Sequence, residues 1–578
     1  MSQYISMGLM STDYASFFRE AQELVGKKNI LTRGFATGFY KKGFRFGLGE
    51  ALAVITPTTL NHFWHAIKLC HKNNFIIIFQ AANTGLTGGS TPYGNDYDRQ
   101  VIIINTLKLN KIFLINDGKY ALSFPGASLY QLEKKLSSIN RLPHSVIGSS
   151  QIGATVIGGI ANNSGGALVK RGPAYTEFSL FAQIDDENNL NLINHLGINL
   201  AGDSPEEIIS QLDSEKFDAN SFNGKGMPSD QEYINWIRDI DSNIPSRFNA
   251  DERRLFEASG CAGKLGVFAV ITETFPMPKR EQVFYLGTNN IKDFSKFRSD
   301  ILSNFEYLPE MTEYMHKNIF LISKNYAKDV FFGVKYLGTS LIPRIFRFRE
   351  SLESFIDKIP FLPKKSLTKF IYLIMKIFPE HLPRRILKFA KDYEHHMIVS
   401  ASDDGIKELK NYLDSDWGNL KDVKYIICTK KEGDDALLHR FAAGASAGTY
   451  TAIHDKISEG IVALDIALPR NDFNWEDDLP EDIHDEILEP LYYGHFLCNV
   501  FHRNYILKKG ADKNLVKKKL LHLLDKKGAK YPAEHNVGHL YVAEKGLKEF
   551  YLKIDPTNSF NPGIGGLEKR KLYCNCCL

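Results

Sequence analysis

No run of apolar residues in this chain approaches the roughly 18 to 20 that a membrane-spanning helix requires, which excludes an anchor of that kind. The opening "MSQYISMGLMSTDY" lacks a basic stretch followed by an apolar one, so no secretory signal is read and a cytoplasmic protein is expected. Cysteine is scarce, with seven in 578 residues. Cys70, Cys261, Cys428 and Cys498 are scattered singly and do not read as a disulfide framework. The other three crowd the end as "CNCCL", too few for a four-ligand metal clip, and read as a solvated tail. Internal repeats and low-complexity linkers are missing. So are GxGxxG and GxxxxGK[ST], which argues against a nicotinamide-type Rossmann site and an NTPase loop, and so is the metal-binding helix signature HExxH.

What is present is a chain 43% hydrophobic and 24% charged, ample for a buried core and long enough for two to four domains. An amphipathic helix is expected from Asp13 to Val25, then a glycine-rich arm "RGFATGFYKKGFRFGLGE". Short β-branched runs ("ALAVITP", "NFIIIFQ", "QVIIINT") then alternate with helical ones such as Thr58 to Lys72, an α/β or α+β pattern. A further glycine-containing stretch, "ASGCAGKLGVFAVITETFP", ends in a strand and in Pro276 and Pro278, as at a domain exit.

Two loops carry unusual amounts of glycine. "AANTGLTGGSTP" follows the apolar strand Phe75 to Gln80, and "GSSQIGATVIGGIANNSGG" spans Gly148 to Gly166. Glycine admits positive φ and close approach, so such loops turn backbone N–H groups toward a phosphate. A single loop of this kind is more often a plain turn. Two of them, separated by alternating strand and helix, suit the two phosphates and long body of a dinucleotide.

These segments, with "GKLGVFAVITE", resemble the FAD-binding domain of the vanillyl-alcohol-oxidase-like flavoproteins, the PCMH-type domain. Within that superfamily, "LYYGHFLCNVFHRNYILKKG" and "YPAEHNVGHLY…DPTNSFNPGIG" are similar to the respiratory, quinone-linked D-lactate dehydrogenases of bacteria, and the likeness runs almost to Gly566. The resemblance implies an α+β fold. It comprises a PCMH-type FAD domain (1–273), an antiparallel-sheet substrate cap (274–323 and 392–524) interrupted by a membrane-docking insertion (324–391), and a C-terminal segment (525–578) returning to the active site. It implies FAD contacts at Ala81, Ala82, Asn83, Thr84, Gly85, Gly89, Ser90, Gly148, Thr155, Gly165 and Val267. Relatives with covalent flavin present a His or Cys beside the first loop, whereas "QAANTGLTGG" has neither, so FAD is expected to be held noncovalently.

Oxidising a 2-hydroxy acid needs a base for the hydroxyl proton, a partner for the carboxylate and a hydride acceptor. The family's Glu-His pair, here Glu534 and His535, points to His535 as base; the plainer reading is a histidine making local hydrogen bonds. "DDALLHRFAAGASA" resembles the segment supplying the carboxylate partner, which makes Arg440 the candidate, a guanidinium fork matching a carboxylate. Related 2-hydroxy-acid dehydrogenases use GHxGDGNxH to bind a divalent metal, and "GHFLCNVFH" keeps His495 and His502 at that spacing, with Glu534 as a third ligand. LCNV stands where GDGN is expected, so a metal site and a pair of substrate-binding histidines both remain open.

Net charge is +4, yet from Lys324 to Lys391 fifteen Lys/Arg face five acids, so a basic segment sits in an acidic body. Its basic residues alternate with Phe, Ile and Leu: Ile345, Phe348, Leu352, Phe355, Ile356 and Ile359 fall on one helical face, and Lys369 and Lys376 share another. That mixture suits an anionic bilayer surface better than nucleic acid; a plain solvated face is the alternative. The function implied is a peripheral flavoenzyme on the cytoplasmic face of the bacterial inner membrane, oxidising D-lactate to pyruvate and reducing ubiquinone or a similar quinone. A dehydrogenase of another D-2-hydroxy acid (2-hydroxyglutarate, glycolate) and a non-catalytic flavin- and membrane-binding protein are the alternatives.

Overall fold

The computed structural model describes residues 14–32, 34–144, 153–337 and 342–572. Helix α1 (Ala15–Val25) buries Phe17, Phe18, Ala21 and Val25, and the short α2 (Gly34–Lys41) lies in the glycine-rich arm. The first sheet orders β1 (Ile30–Leu31), β2 (Ala53–Ile55), β4 (Val101–Asn105) and β3 (Ile76–Gln80). β2, β4 and β3 are parallel, and their Ile-rich runs are buried almost throughout, as strands covered on both faces must be. Helix α3 (Leu60–Lys72) supplies part of that cover. It starts at Thr59, whose side chain accepts from His62 N at 3.1 Å, while Asp213 accepts from the N–H groups of Leu60 and Asn61.

The second sheet is antiparallel, in the order β5 (Ile112–Ile115), β6 (Tyr120–Ser123), β10 (Gly266–Pro276), β8 (Ser179–Ile184) and β9 (Leu190–Asn194), with β7 (Arg141–Pro143) paired to β10. Helix α4 (Leu129–Ser137) and the short α5 (Val156–Ala161) border it; α6 (Pro205–Asp213) and α7 (Tyr233–Arg238) precede β10.

The third sheet is wholly antiparallel, in the order β14 (Val423–Ile427), β11 (Glu281–Thr288), β13 (His395–Ser402), β12 (Met311–His316), β16 (Ile487–His495), β17 (Val500–Lys508) and β15 (Ser458–Ala467). Alternate residues of each strand enter different cores. Phe284, Leu286, Tyr314, Met397 and Val399 face one cluster, and Tyr285, Met315, Ile398, Tyr493 and Ile506 face another, the period of two that a strand covered on both sides imposes. Helices α8 (Ile291–Asn304), α14 (Gly405–Tyr412) and α17 (Lys513–Lys526) pack on the sheet, as do α9 (Lys317–Tyr326) and the long α15 (Lys430–Ile453). The four-residue α16 (Glu481–His484) leads into β16, and α18 (Lys545–Ile554) lies near the end of the described chain.

The basic segment is helical, as its periodicity predicts: α10 (Lys328–Leu337), α11 (Ile342–Ile356), α12 (Ser366–Ile377) and α13 (Arg384–Asp392). Glu353 of α11 accepts hydrogen bonds from the N–H groups of Leu367 and Thr368 and ties α11 to the start of α12. Large apolar side chains remain outside: Phe348, Phe355 and Phe370 are exposed, Phe361 is 94% exposed and Ile377 86%. Not every cation is available to a partner. Lys324, Lys335, Arg349, Lys369 and Arg385 pair with Glu380, Asp435, Asp329, Asp455 and Glu432. Lys358, Lys364, Arg384 and Lys388 have no carboxylate partner among the described residues. No helix among the described residues is long and apolar enough to cross a membrane.

Candidate active site

The two glycine loops and the third sheet meet around one cavity of about 430 Å³. The last part of the chain closes it. Lys530 bridges to Ala467 at the end of β15, Ala533 N donates to Asp465 O at 3.0 Å, and Glu534 N donates to Asp465 Oδ2 at 2.8 Å. A few residues on, Thr87 of the first glycine loop donates to Asn536 O at 2.7 Å, and His539 N donates back to Thr87 O at 3.0 Å. Glu534 and His535 are thereby pinned between a cap strand and the loop. Gly165 makes room for this arrangement, because a Cβ on it would displace the Glu534 carboxyl.

Cross-strand register assembles the titratable groups. Glu313 of β12 lies opposite His495 of β16, and Asp465 of β15 lies opposite His502 of β17. Glu313 Oε1 receives Nδ1 of His495 at 2.6 Å, while Glu313 Oε2 lies 2.8 Å from Nε of Arg440 on α15, an ion pair outside hydrogen-bond alignment. Arg440 Nη2 is buried with no partner, and the guanidinium stands 4.5 Å over the Tyr493 ring. His502 Nδ1 is 3.3 Å from Asp465 Oδ1, and Asp465 Oδ2 receives Nδ1 of His535 at 2.5 Å. A carboxylate only accepts, so Nδ1 of His535 carries the proton and Nε2 is left as the basic atom. Glu534 accepts from Arg247 Nη2 at 2.8 Å, and its other oxygen lies 3.2 Å from Nε2 of His495 and 4.0 Å from Nε2 of His502.

The charges follow from these contacts. Burial works against a charged His495, but Glu313 and Glu534 on either side outweigh it and lift its pKa to about 10. Burial likewise opposes the Glu534 anion, yet His495 and Arg247 hold the carboxyl down at about 2. His535 is raised although burial opposes it, because Asp465 favours the imidazolium; His502 is lowered, burial outweighing Asp465. Asp465 and Glu313 stay ionised against burial through their histidine and arginine neighbours.

The donor set fits a divalent cation. His495, His502 and Glu534 each offer a ligand atom within 4.8 Å of the others, and each imidazole has a carboxylate on its Nδ1 side, leaving Nε2 for ligation.

Ala81, Ala82, Asn83, Thr84, Gly85, Gly89, Ser90, Thr155, Gly165 and Val267 line the same cavity as Arg440, His495, His502, Glu534 and His535. Gly148 lies outside the described residues, as do Cys574, Cys576 and Cys577. The cavity suits FAD: its lining combines small residues and loop backbone with the apolar Pro125, Ile157, Leu265 and Val267, which suit a flat ring. Sequence reading missed Glu313, Asp465 and Arg247. A lone carboxylate within the apolar strand runs "MTEYMH" and "GIVALDIA" is the signal that marks the first two, since buried acids need partners.

Comparison with known proteins agrees with this geometry. A family model described as "D-lactate dehydrogenase, membrane binding" matches residues 283–573, and one described as "FAD binding domain" matches residues 51–176. The chain is 48% identical to the quinone-dependent D-lactate dehydrogenase of Escherichia coli (strain K12), over 97% of this chain and 98% of that one. It is also 48% identical to the enzyme of that name from Haemophilus influenzae, over 95% and 98%. Among solved structures, p-cresol methylhydroxylase superposes with a TM-score of 0.56 at 12% identity, covering 97% of this chain and 98% of the other, a likeness of fold that establishes the PCMH-type architecture. The chain accordingly carries an FAD-binding domain, and the glycine-lined cavity suits that cofactor. Identity near one half, sustained from end to end, carries more than a shared fold, and the chain belongs to the quinone-dependent D-lactate dehydrogenase family.

Proposed function

We propose that this protein is a membrane-associated flavoenzyme that oxidises D-lactate to pyruvate and delivers the electrons to ubiquinone or a similar quinone. One observation carries the reading: the glycine loops, three histidines, Glu534 and an arginine whose Nη2 has no partner line a single cavity. FAD, held noncovalently, supplies the hydride acceptor at N5 and the link to the quinone. Arg440, held by Glu313, offers its free Nη2 to the lactate carboxylate and fixes which end of the substrate enters. His535 takes the hydroxyl proton on Nε2, and Asp465 holds the ring in the tautomer that makes this atom basic and stabilises the imidazolium that results. His495, His502 and Glu534 would hold a divalent ion, which would supply a Lewis acid for the substrate hydroxyl.

The segment 324–391 docks on anionic lipid, its exposed Phe and Ile entering the interface while Lys358, Lys364, Arg384 and Lys388 meet headgroups. The cytoplasmic leaflet, with its negative surface potential, is the face such a patch favours. Anaerobic titration of the purified yellow protein with the two lactate enantiomers tests the activity. D-lactate should bleach the flavin and L-lactate should not; failure of both would sink the reading.

A further inference from the structure

Helix α15 contains Gly444 and Gly448 in its interior, where glycine weakens a helix and where neither is required by packing: a Cβ on either would meet no atom within 4 Å. Gly444 lines the cavity one turn beyond Arg440, whose buried Nη2 is unpartnered and whose guanidinium lines the same space. Around Gly444 the lining changes character. Phe44, Val330, Phe441 and Ala445 make an apolar rim, and Arg45 from the glycine-rich arm donates to Gly444 O at 3.2 Å, joining the arm to α15.

The rim continues into the membrane-binding segment. Val330 lies on α10, and Val334 and Leu337 follow it at steps of four and three on the same helical face. Val330 is buried at the cavity, Val334 half-buried, and Leu337 50% exposed. The stripe thus runs about 10 Å from the cavity wall to the surface, by the rise of a helix. Tyr336, 72% exposed, stands beside Leu337 and stacks on Phe332, which also meets the exposed Phe378.

We infer that the quinone approaches the flavin here, sliding from the lipid-facing end of α10 into the space left open by Gly444, with its ring bounded by Phe44, Val330 and Phe441. The inference rests on the quinone-reducing function proposed above and adds the place where that substrate binds. An apolar acceptor dissolved in lipid needs an apolar path that starts at the docked surface, and this rim joins that surface to the cavity. In the net reaction D-lactate loses two electrons and two protons, and the quinone takes up both pairs to become the quinol.

A Cβ at Gly444 meets no atom within 4 Å and Ala445 is exposed, so Gly444→Phe and Ala445→Trp put bulk into this space from two adjacent positions. Two half-reactions and one binding measurement read them out. Reduction of the flavin by D-lactate, followed anaerobically, should stay near wild type, whereas reoxidation by decylubiquinone should slow about tenfold or more. Decylubiquinone titrated into the oxidised holoenzyme, where no reaction occurs, should show a comparably raised dissociation constant by fluorescence quenching. Unchanged reoxidation and binding in both variants would overturn the inference, as would equal slowing of the lactate and quinone steps. A wild-type protein that D-lactate reduces but no quinone reoxidises would instead refute the proposed function itself.

Discussion

Asp465 accepts the Nδ1–H of His535 at 2.5 Å, and this contact decides which imidazole nitrogen can act as a base. Asparagine at 465 can offer an N–H to Nδ1 instead, which stabilises the tautomer with its proton on Nε2. Asp465→Asn should therefore slow flavin reduction by D-lactate about 10²-fold or more, with FAD still bound. It should also shift the pH profile. His535 must be neutral to accept a proton, and Asp465 raises its pKa, so activity in the native protein falls as pH drops through a value above the ordinary histidine range. Removing the carboxylate charge should move that acid limb to lower pH. A profile that does not move would separate Asp465 from the titrating base.

Arg440 is the next test. A lysine at this position keeps the charge but loses the planar fork. Arg440→Lys should raise KM for D-lactate by roughly tenfold or more while leaving the visible spectrum of bound FAD unchanged, since a hydrogen bond to a charged group contributes about 1.5 to 3 kcal/mol. An unaltered KM would remove Arg440 from the substrate site.

Metal analysis of the purified protein should find one divalent ion per chain. Chelation should abolish lactate oxidation, and His495→Gln or His502→Gln should lose the ion while FAD stays. Full activity in metal-free protein would leave His495 and His502 as hydrogen-bonding partners of the substrate.

FAD should leave on denaturation. Cys261 lines the cavity, but burial pushes its thiol up to about 11, so it stands as an unreactive thiol rather than a thiolate near neutral pH. Acid precipitation should release yellow cofactor into the supernatant; colour kept on the polypeptide would show a covalent link.

Membrane docking should depend on salt and on anionic lipid. Lys358→Glu and Lys364→Glu should each weaken sedimentation with anionic vesicles, by about 1 kcal/mol or more for each lost lysine contact. Lys335→Glu should act differently, since Lys335 is spent on Asp435 of α15 and its loss disturbs α10. Equal binding to neutral vesicles at every salt concentration would contradict an electrostatic surface.

Much of this site was legible before folding. Glycine loops announce themselves by local composition, the basic segment by charge and helical spacing, and His535 only through the likeness of its Glu-His pair to that of the family. What could not be read is pairing. Glu313 meets His495 and Arg440, and Asp465 meets His502 and His535, through registers between strands far apart in the chain. A one-residue slip would turn each of these side chains to the opposite face of the sheet. The count of cations in the basic segment likewise overstated its free charge, because internal pairing appears only when α10, α12 and α13 have packed.

Because Glu534 and His535 are tethered to both β15 and Thr87, the proposed reactive centre forms only once the third sheet and the first glycine loop have been brought together. A polypeptide ending before Lys530 would lack not only that centre but also Phe560, buried in the core around the first sheet, and Asn561, which donates to Gly89 O of the first glycine loop. Loss of the chemistry and loss of support for the cofactor loop would come together.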